Sequence, residues 1–538
     1  MLQKFRKPRK PIFWKMLKEI NRIKQEFGQD DDSFLDLTGD LEHNTGRLRA
    51  KLHSSSDLVI RKFQIRINQH SFEAALIFID GLIDKQQLEW SVLQPLMNPG
   101  GEVETPLPDN LLKFLKNRLI TVGDIAEQVT LQQLIDSLVV GATILMIQGY
   151  AASLVLKTPG WDKRSIEQPE SEANVRGPRE GFVENMRTNT AMLRRKIGHP
   201  DLTFETLTVG YRSKTDVSLV FIHGLTSDKL LAEVKKRLQD INTDIIVGAG
   251  GVEQFIEDAP LSIFSTVGYT ERPEVIASKI VEGRVAIIVE GTPVVLTVPF
   301  LFVENFQFPD DYNFGYVYST LLRWIRYGAF FITLIGPAFF VALTTFHQEL
   351  IPTPLLISMA AATEGTPFPT VIEVIVMGFV FELIREGGIR LPKPIGQAIG
   401  IVGALVIGQA TVQAGLVGAP TVIVVSTTAV ASFVIPALVD ETTPLRIVFV
   451  VIAGVFGAFG IVMGLILLLI HLAALRSFGV PFLSPIVPTM FRELGQDVLL
   501  RAPWWMMLKR PRMLNASDSE RQAKEQKPAP PKAKGDRK

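Results

Sequence analysis

Hydrophobic positions follow two different patterns along this chain of 538 residues. From about residue 55 to 300, short apolar runs alternate with amphipathic segments such as LLAEVKKRLQDI (230–241), a pattern typical of α/β layers. From about residue 327 to 475, the apolar runs are long and almost free of charge. The predicted fold class is therefore a multidomain α+β protein, in which α/β modules are followed by a polytopic α-helical membrane domain.

Five apolar segments of the second region have the length of membrane spans. The first, 327–346, holds twenty residues without a charge, and a helix rising about 1.5 Å per residue over that length crosses a hydrocarbon core of about 30 Å. The others are predicted at 368–384, 395–417, 421–439 and 445–475. The segment 351–363 is proline-bounded and too short to cross, so we interpret it as a re-entrant or interfacial piece.

Basic residues beside the spans predict the membrane topology. They cluster before the first span, between the second and third, and after the fifth, and such clusters face the cytoplasm. These residues are Arg323, Arg326, Arg385, Arg390, Lys393, Arg476, Arg492, Arg501, Lys509, Arg510 and Arg512. Two cytoplasmic termini require an even number of crossings, whereas hydropathy counts five. We favour four full crossings with broken or re-entrant helices; a sixth crossing by the proline-bounded piece is the alternative.

The soluble region contains an internal repeat. The segment ALIFIDGLID (75–84) recurs 143 positions later as SLVFIHGLTS (218–227), and GATILMIQGYAASLVL (141–156) recurs 142 positions later as GRVAIIVEGTPVVLTV (283–298). The nearly constant offset indicates two copies of one strand, helix and hairpin unit. Gly81 and Gly224 are expected to permit tight turns with positive φ. Because Asp80 and His223 differ at the preceding position, we expect no shared reaction centre there.

Composition narrows the chemistry further. The chain has no cysteine, which excludes disulfides, thiolate metal sites and cysteine nucleophiles. Its seven histidines lie without metal-ligand spacing, and VGAGGVEQF (247–255) lacks the lysine and hydroxyl residue of a phosphate loop. We therefore expect no cofactor, no metal and no enzymatic activity. The basic tail could suggest a nucleic-acid arm, but attraction to anionic lipid headgroups explains it more simply in a chain with several spans. Nucleic acid is therefore not an expected partner.

Five regions are predicted from these patterns. They are a charged N-terminal extension (1–54), a first α/β module (55–160), a second α/β module with its linker (161–320), a transmembrane helical domain (321–480), and an amphipathic segment with a basic, disordered tail (481–538). Basic residues near a bilayer surface gain about 1 kcal/mol each from anionic lipids. Membrane lipids are thus the expected partner of the tail, and Trp504 and Trp505 fit an interfacial anchor.

Polar side chains at membrane depth are costly and by default suggest function. Glu373 lies within the second predicted span, where either an ion-coordination role or a structural interhelical hydrogen bond would account for it. In the third, Gln397, Gln409 and Gln413 share nearly one azimuth. They could line a hydrated path or join helices, and the two interpretations are about equal.

Four long passages resemble the A subunits of the nutrient germinant receptors of spore-forming bacteria. In chain order they are SEANVRGPREGFVENMRTNTAMLRRKI (171–197), VEGRVAIIVEGTPVVLTVPFLFVENFQFPDDY (281–312), REGGIRLPKPIGQAIGIVGALVIGQATVQAGLVGAPTVIVVS (385–426) and PFLSPIVP (481–488). The resemblance covers roughly residues 55–500. A paralogous spore membrane protein shares several of these motifs, and the extended N-terminus looks more like a receptor subunit.

The resemblance implies more than the residues do. Such A subunits sit in the inner membrane of the spore, act with a transporter-like B subunit and a lipoprotein C subunit, and are believed to form a homo-oligomeric ring conducting small cations. The expected function is then a subunit of a nutrient-gated cation channel that starts ion release at germination. On the sequence, span 395–417 is our choice for the lining. A secondary transporter and a non-conducting scaffold are the alternatives.

The resemblance also draws attention to RGPREGF (176–182). Arg176, Arg179 and Glu180 lie in the linker between the modules, where adjacent opposite charges could form an inter-subunit contact. A solvated loop is the equally weighted alternative. Neither the nutrient, the ion, the subunit number nor the gate position follows from the sequence.

Overall fold

The structure is a computed structural model, and it describes residues 36–67, 70–97, 110–160, 169, 172, 174–390, 408–514, 517–523 and 526–528. Gln397 lies outside these residues, as does most of the predicted third span. The described chain is mixed α and β, with two five-stranded sheets in the first part and long apolar helices in the second.

The first module is built on an antiparallel sheet with the strand order β1-β2-β4-β5-β3. Its strands are β1 (Leu58–Ile67), β2 (His70–Ile79), β3 (Ile125–Gln128), β4 (Thr143–Ile147) and β5 (Ser153–Leu156), and its longer helices are α1 (Leu41–Lys51) and α2 (Leu131–Val139). Leu41, Leu48 and Leu52 are buried in the core on one sheet face. The first module thus begins before residue 55, because α1, predicted to lie in an extension, supplies part of its core.

The second module repeats this topology with the order β6-β7-β9-β10-β8. Its strands are β6 (Leu202–Val209), β7 (Thr215–Ile222), β8 (Gly268–Thr270), β9 (Val285–Val289) and β10 (Val295–Val298), and its helices are α3 (Met186–Lys196), α4 (Asp228–Gln239), α5 (Ala249–Ile256) and α6 (Pro273–Val281). Leu76 pairs with Leu145 in the first sheet, and Leu219 pairs with Ile287 in the second. The sequence repeat therefore reproduces the strand register.

The repeated glycines have the backbone conformation that the repeat predicts. Gly81 has a φ of 90° and Gly224 a φ of 76°, the positive range that favours glycine. The predicted tight turns are confirmed at both positions.

The two modules pack against each other through a buried ion pair. Arg194 on α3 donates from Nε to Oδ2 of Asp57, 2.9 Å away, and both side chains are 1% exposed. The Ser56 N–H also donates to the Phe204 carbonyl at 2.8 Å. Breaking one partner of such a buried pair is costly, so the modules form a tightly joined unit.

Six helices make up the described part of the second region. They are α7 (Tyr316–Thr345), α8 (Thr353–Thr363), α9 (Thr370–Arg390), α10 (Gly408–Gln413), α11 (Ala419–Val434) and α12 (Val439–Ala474). Two stretches, Tyr316–Thr345 and Pro436–Ala474, are long and apolar enough to cross a membrane. The eleven residues of α8 occupy the predicted re-entrant piece and have no buried side chain.

Helix α12 is a hairpin rather than one continuous rod. Gly457 has φ 60° and ψ −145°, which is not helical, and the chain reverses there. A Cβ on Gly464 would lie 2.7 Å from Phe449 Cε1, although the fifteen positions between them would span about 22 Å in a straight helix. The prediction of one crossing over 445–475 is therefore wrong. Glycines spaced three or four apart let the two arms, 439–456 and 458–474, approach closely.

The arms of α12 begin and end beside the second module. At the end of the second arm, the Ser262 Oγ lies 3.0 Å from the His471 Nε2. At the start of the first arm, the carboxylates of Asp440 and Glu441 add to burial and raise the pKa of Tyr269 to about 12. We call this side of the helices the junction end, and the side of Gly457 the tip end. At the tip end, His347 Nε2 accepts from the Ala458 N–H at 3.3 Å.

Candidate functional site

A buried group of charges lies where the second module meets α7. Asp311, in the short helical turn Asp310–Asn313, is fully buried. Its Oδ2 accepts from Arg323 Nε at 3.0 Å and from an Arg326 Nη at 2.7 Å. The two arginines share a face of α7 because residues three apart are neighbours on a helix. The first three turns of α7 are thereby fixed to the end of the second module.

The chain after the last helix joins the same group. Asp497 Oδ1 accepts from Arg323 at 2.9 Å, and its Oδ2 accepts from the Tyr312 hydroxyl at 2.8 Å. Burial raises the pKa of Tyr312, and the neighbouring Asp497 carboxylate raises that pKa further. We call Asp311, Tyr312, Arg323, Arg326 and Asp497 the junction cluster. Arg323 thus joins Asp311, twelve residues before it, to Asp497, 174 residues after it.

The junction cluster can transmit movement. Removing one partner of a buried ion pair costs about 3–5 kcal/mol, because the other charge is left uncompensated. The second module therefore cannot rotate relative to α7 without either moving the helix or breaking these contacts.

A second ion-pair group lies among the helices at the junction end. Glu382 on α9 accepts from Arg446 on α12 at 2.7 Å and pairs with Arg385 at 2.8 Å. Residues three apart are neighbours on one helix face, which allows the pair of Glu382 with Arg385. The additional contact with Arg446, which is buried, joins α9 to the first arm of α12.

Glu373 is buried and bound to the start of another helix. Its Oε2 accepts from the Gly418 N–H at 3.2 Å and from the Thr421 hydroxyl at 2.7 Å. Gly418 is the N-cap residue of α11, whose first N–H groups have no partner within the helix. A carboxylate is stabilised at that position by the helix dipole. These contacts match the interhelical hydrogen bond, which is one of the two interpretations of Glu373.

The glutamines lie differently. Gln409 and Gln413 are on α10, four residues apart, and both side chains are exposed on the single chain. They remain available to water or to another subunit. Because Gln397 is outside the described residues, the three-glutamine face stays a prediction.

The linker residues also separate. Arg176 and Arg179 are exposed, and the Arg176 backbone N–H donates to Asp310 Oδ1 at 3.1 Å. Glu180 pairs within the chain with Arg195 at 3.3 Å and Lys196 at 3.0 Å. The structure thus places the linker beside the junction cluster, while its inter-subunit role stays a prediction.

The polar residues of the two repeated turns, Asp80 and His223, contact neighbouring side chains within the modules. Asp80 pairs with Lys85 at 2.7 Å and approaches Arg187. The His223 ring stacks on His53, with 3.9 Å between ring centroids. Among the described residues, no group of His, Asp and Glu could hold a metal ion.

Sequence reasoning missed the junction cluster and the Gly457 reversal. From the sequence, Arg323 and Arg326 were used only to predict the membrane orientation. Their spacing of three already places them on one helix face. The glycines at 454, 457, 460 and 464 are a readable signal of closely packed arms.

The chain has extensive similarity to known proteins. Residues 46–513 match the family described as Bacillus/Clostridium GerA spore germination protein. Spore germination protein KA of Bacillus subtilis (strain 168) is 40% identical over 502 residues, which cover 93% of this chain and 91% of that protein. The uncharacterized membrane protein YfkQ of the same organism is 38% identical, with coverage of 93% and 96%.

A solved structure is also similar in sequence. The crystal structure of the N-terminal domain of the A subunit of the Bacillus megaterium spore germinant receptor GerK3 is 35% identical, covers 50% of this chain and 97% of that chain, and has a TM-score of 0.40. The family match and the two full-length relatives confirm the resemblance found from the sequence motifs. This chain belongs to the Bacillus/Clostridium GerA family of spore germination proteins.

Proposed function

We propose that this chain is a membrane subunit of a germinant receptor and assembles with copies of itself into a nutrient-gated cation channel. The observation that carries the proposal is the junction cluster, because Arg323 connects the second module, α7 and the C-terminal segment in one buried group. Movement of the modules on activation would then reach the membrane helices directly. A transporter-like B subunit that binds the nutrient and a lipoprotein C subunit complete the proposed receptor.

Apolar exposure supports the membrane assignment. Phe379, Phe433, Phe459 and Leu467 are 64%, 61%, 70% and 62% exposed on the single chain. Large apolar side chains in such numbers are covered by lipid or by other subunits in a stable protein. We propose the inner membrane of the spore as the location, with the modules and the C-terminal tail on the cytoplasmic side.

The hairpin in α12 supports an even number of crossings. Helix α7 runs from the junction end to the tip end, α9 and α11 run back, and the two arms of α12 add one passage in each direction. If the segment 395–417 crosses as predicted, six passages leave both termini on one side. Labelling the single-cysteine variants Glu349→Cys and Glu493→Cys tests this, since we expect reagents applied to opposite faces to reach them. Labelling of both from one face would contradict it.

We propose the face carrying Gln409 and Gln413 as part of the conducting path. A ring suits a pore because each subunit contributes only one lining helix. The double variant Gln409→Leu with Gln413→Leu should slow ion release from spores without lowering the amount of protein. The matched control is Gln348→Leu, whose amide lies at the end of α7 and donates to the Thr344 carbonyl. Normal release from the double variant would remove this face from the path.

Conduction itself is tested by single-channel recording from the purified receptor in planar bilayers. Unitary currents that appear after nutrient addition are the expected result. Saturable uptake without unitary currents would indicate a carrier, and neither activity would indicate a scaffold.

A further inference from the structure

The described chain continues beyond the helices and turns back on itself. We call residues 508–514 and 517–523 the C-terminal strap. The Arg510 N–H donates to the Ser519 carbonyl at 3.0 Å, and the Arg521 N–H donates to the Leu508 carbonyl at 2.9 Å. Lys509 and Glu520 form a β-bridge between the two sides. The described residues of the strap therefore form a short two-sided turn.

The strap is docked on the second module. The Ser517 N–H donates to the Leu225 carbonyl at 3.1 Å, and Arg510 Nε donates to the Val281 carbonyl at 2.9 Å. Arg521 lies 3.5 Å from the Glu282 carboxylate. These contacts lie at one corner of the module, where the turn after β7 meets the end of α6.

The first module closes the same corner with its own chain. Leu82 is the counterpart of Leu225, 143 positions earlier, and its carbonyl accepts from the Gly160 N–H at 3.0 Å. The Asp84 N–H donates to the Thr158 carbonyl at 3.0 Å beside it. The segment that leaves β5 thus returns to the turn and completes it.

The second module cannot do this, because its last strand leads into the helices. Phe302 stands 142 positions after Gly160, and its N–H donates instead to the Phe482 carbonyl at 2.9 Å. The strap takes the corresponding place and supplies the donor that Leu225 would otherwise lack. It also ties the segment leaving the last helix to the module's corner.

The docking contacts are of a kind that can open. Among the described residues the strap is docked by a few polar contacts: the hydrogen bonds that Ser517 and Arg510 donate to backbone carbonyls, and the Arg521–Glu282 ion pair, whose side chains are 22% and 18% exposed. Chain segments held by few contacts open locally at low free-energy cost. Residues 517–523 also lie beyond the part of the chain that matches the family.

We propose that the C-terminal strap is a releasable restraint on the receptor, and that the Leu225 corner of the second module is its docking surface. In the resting state the docked strap holds the second module against the segment after the last helix. On activation it detaches, and the Leu225 corner of the module is then no longer tied to the C-terminal chain. The inference rests on the proposed function, since it assigns a regulatory element to the same receptor.

Disulfide trapping tests the release directly. Because the native chain has no cysteine, the double variant Leu225→Cys with Ser517→Cys carries the only pair. A direct backbone hydrogen bond holds these positions within the range that a disulfide bridges. In membrane vesicles containing the assembled receptor, we expect oxidant to form the bond readily in the resting state. Adding a mixture of amino acids and glucose should slow its formation about tenfold, which corresponds to weakening the docked state by about 1.4 kcal/mol.

The outcomes separate this inference from the proposed function. A trapping rate that nutrients leave unchanged would overturn the releasable strap, even if the receptor conducts. A nutrient-dependent trapping rate without any current in planar bilayers would support the strap and overturn the channel. The double variant Leu225→Cys with Arg512→Cys is the control, because Arg512 lies on the strap but pairs elsewhere, its N–H donating to Glu493.

Truncation gives a second, independent measurement. A chain ending at residue 513 loses the outer half of the strap, whereas a chain ending at residue 523 keeps the whole strap and loses only the last residues of the tail. We expect the shorter chain to release ions from spores at a several-fold lower nutrient concentration and the longer one to match the wild type. Equal responses of both truncations would overturn the restraint, and trapping in the full-length chain decides the matter if the shorter chain fails to accumulate.

Discussion

The two modules agree where their sheets are packed and differ where the second module connects to the helices. The second module buries Arg284 beside Glu304 and places Lys279 3.0 Å from the same carboxylate. The positions 142 residues earlier hold Ala142 and Ser137 in the first module. The two copies of the shared fold thus differ in charge at these positions, and the second module carries its charges where the chain leaves it.

This difference shows that a duplicated core tolerates different electrostatics at its exit. Burial alone raises the pKa of a carboxyl, but Arg284 and Lys279 hold the pKa of Glu304 below its usual range. Arg284 also donates to the Pro299 carbonyl at 2.9 Å, in the segment that leads toward α7. The group of Lys279, Arg284 and Glu304 therefore fixes the direction in which the chain leaves the second module. The corresponding positions in the first module hold no such group.

The largest expected loss of stability comes from removing Arg284 from its group with Lys279 and Glu304. In Arg284→Met, Glu304 loses its closest partner, so we expect the free energy of unfolding to fall by about 3 kcal/mol. Denaturant unfolding of the detergent-solubilised protein measures it. The control is Arg212→Met, since Arg212 and Asp244 are 76% and 68% exposed, and its loss should stay below about 1 kcal/mol. Equal losses would mean that the buried cluster is no more important than a surface pair.

A smaller effect distinguishes the two repeated turns. Alanine at either Gly81 or Gly224 should cost about 1–2 kcal/mol, because both have positive φ. A Cβ on Gly81 would also lie 2.9 Å from the Ala191 Cβ, which is too close. A Cβ on Gly224 would have no described heavy atom within 4 Å, apart from its chain neighbours. Gly81→Ala should therefore lower the unfolding midpoint more than Gly224→Ala. The reverse order would show that contact with α3 does not tighten the first turn.

The smallest effect concerns the linker between the modules. Burial acts to raise the pKa of Glu180, but the hydrogen bond and charge of Lys196, together with Arg195, lower it overall. A lowered folded-state pKa contributes stability above the unfolded-state pKa, and this is lost as the pH falls through the folded-state value. Glu180→Gln should cost at most about 1 kcal/mol at pH 7.

The pH dependence provides the check for Glu180. The difference between wild type and Glu180→Gln should shrink as the pH falls below the ordinary glutamate pKa, about 4.3, and through the lowered folded-state pKa of Glu180. Unfolding curves recorded from pH 7 to pH 3 measure this difference. A constant difference across that range would show that the charge of Glu180 is not what stabilises the linker.

The sequence predicts the repeated sheets because their evidence is local and periodic. Apolar runs, turn glycines and a constant offset together predict that the two copies share one strand, helix and hairpin unit. The predicted start of the first module is wrong because α1 is polar on average, and only its contacts reveal that Leu41 and Leu48 are buried.

The candidate site could be predicted only in part. Glu373 can be found in the sequence because a carboxylate inside an apolar span is unfavourable in free energy. Its partners Gly418 and Thr421 cannot be found there, because they are set by the packing of two helices. The junction cluster joins Asp311 to Arg323 and Asp497, which is 174 residues beyond Arg323. No local sequence pattern predicts a contact between residues 174 positions apart.

The reversal at Gly457 bears on how the chain enters a bilayer. Carrying polar loops through hydrocarbon is expensive, because each backbone group without a partner costs several kcal/mol there. A bend made at one glycine, with apolar arms on both sides, leaves almost no hydrophilic chain to be carried to the far face. On the proposed membrane assignment, the two arms of α12 would therefore insert together as one apolar hairpin, with no polar loop to cross the hydrocarbon.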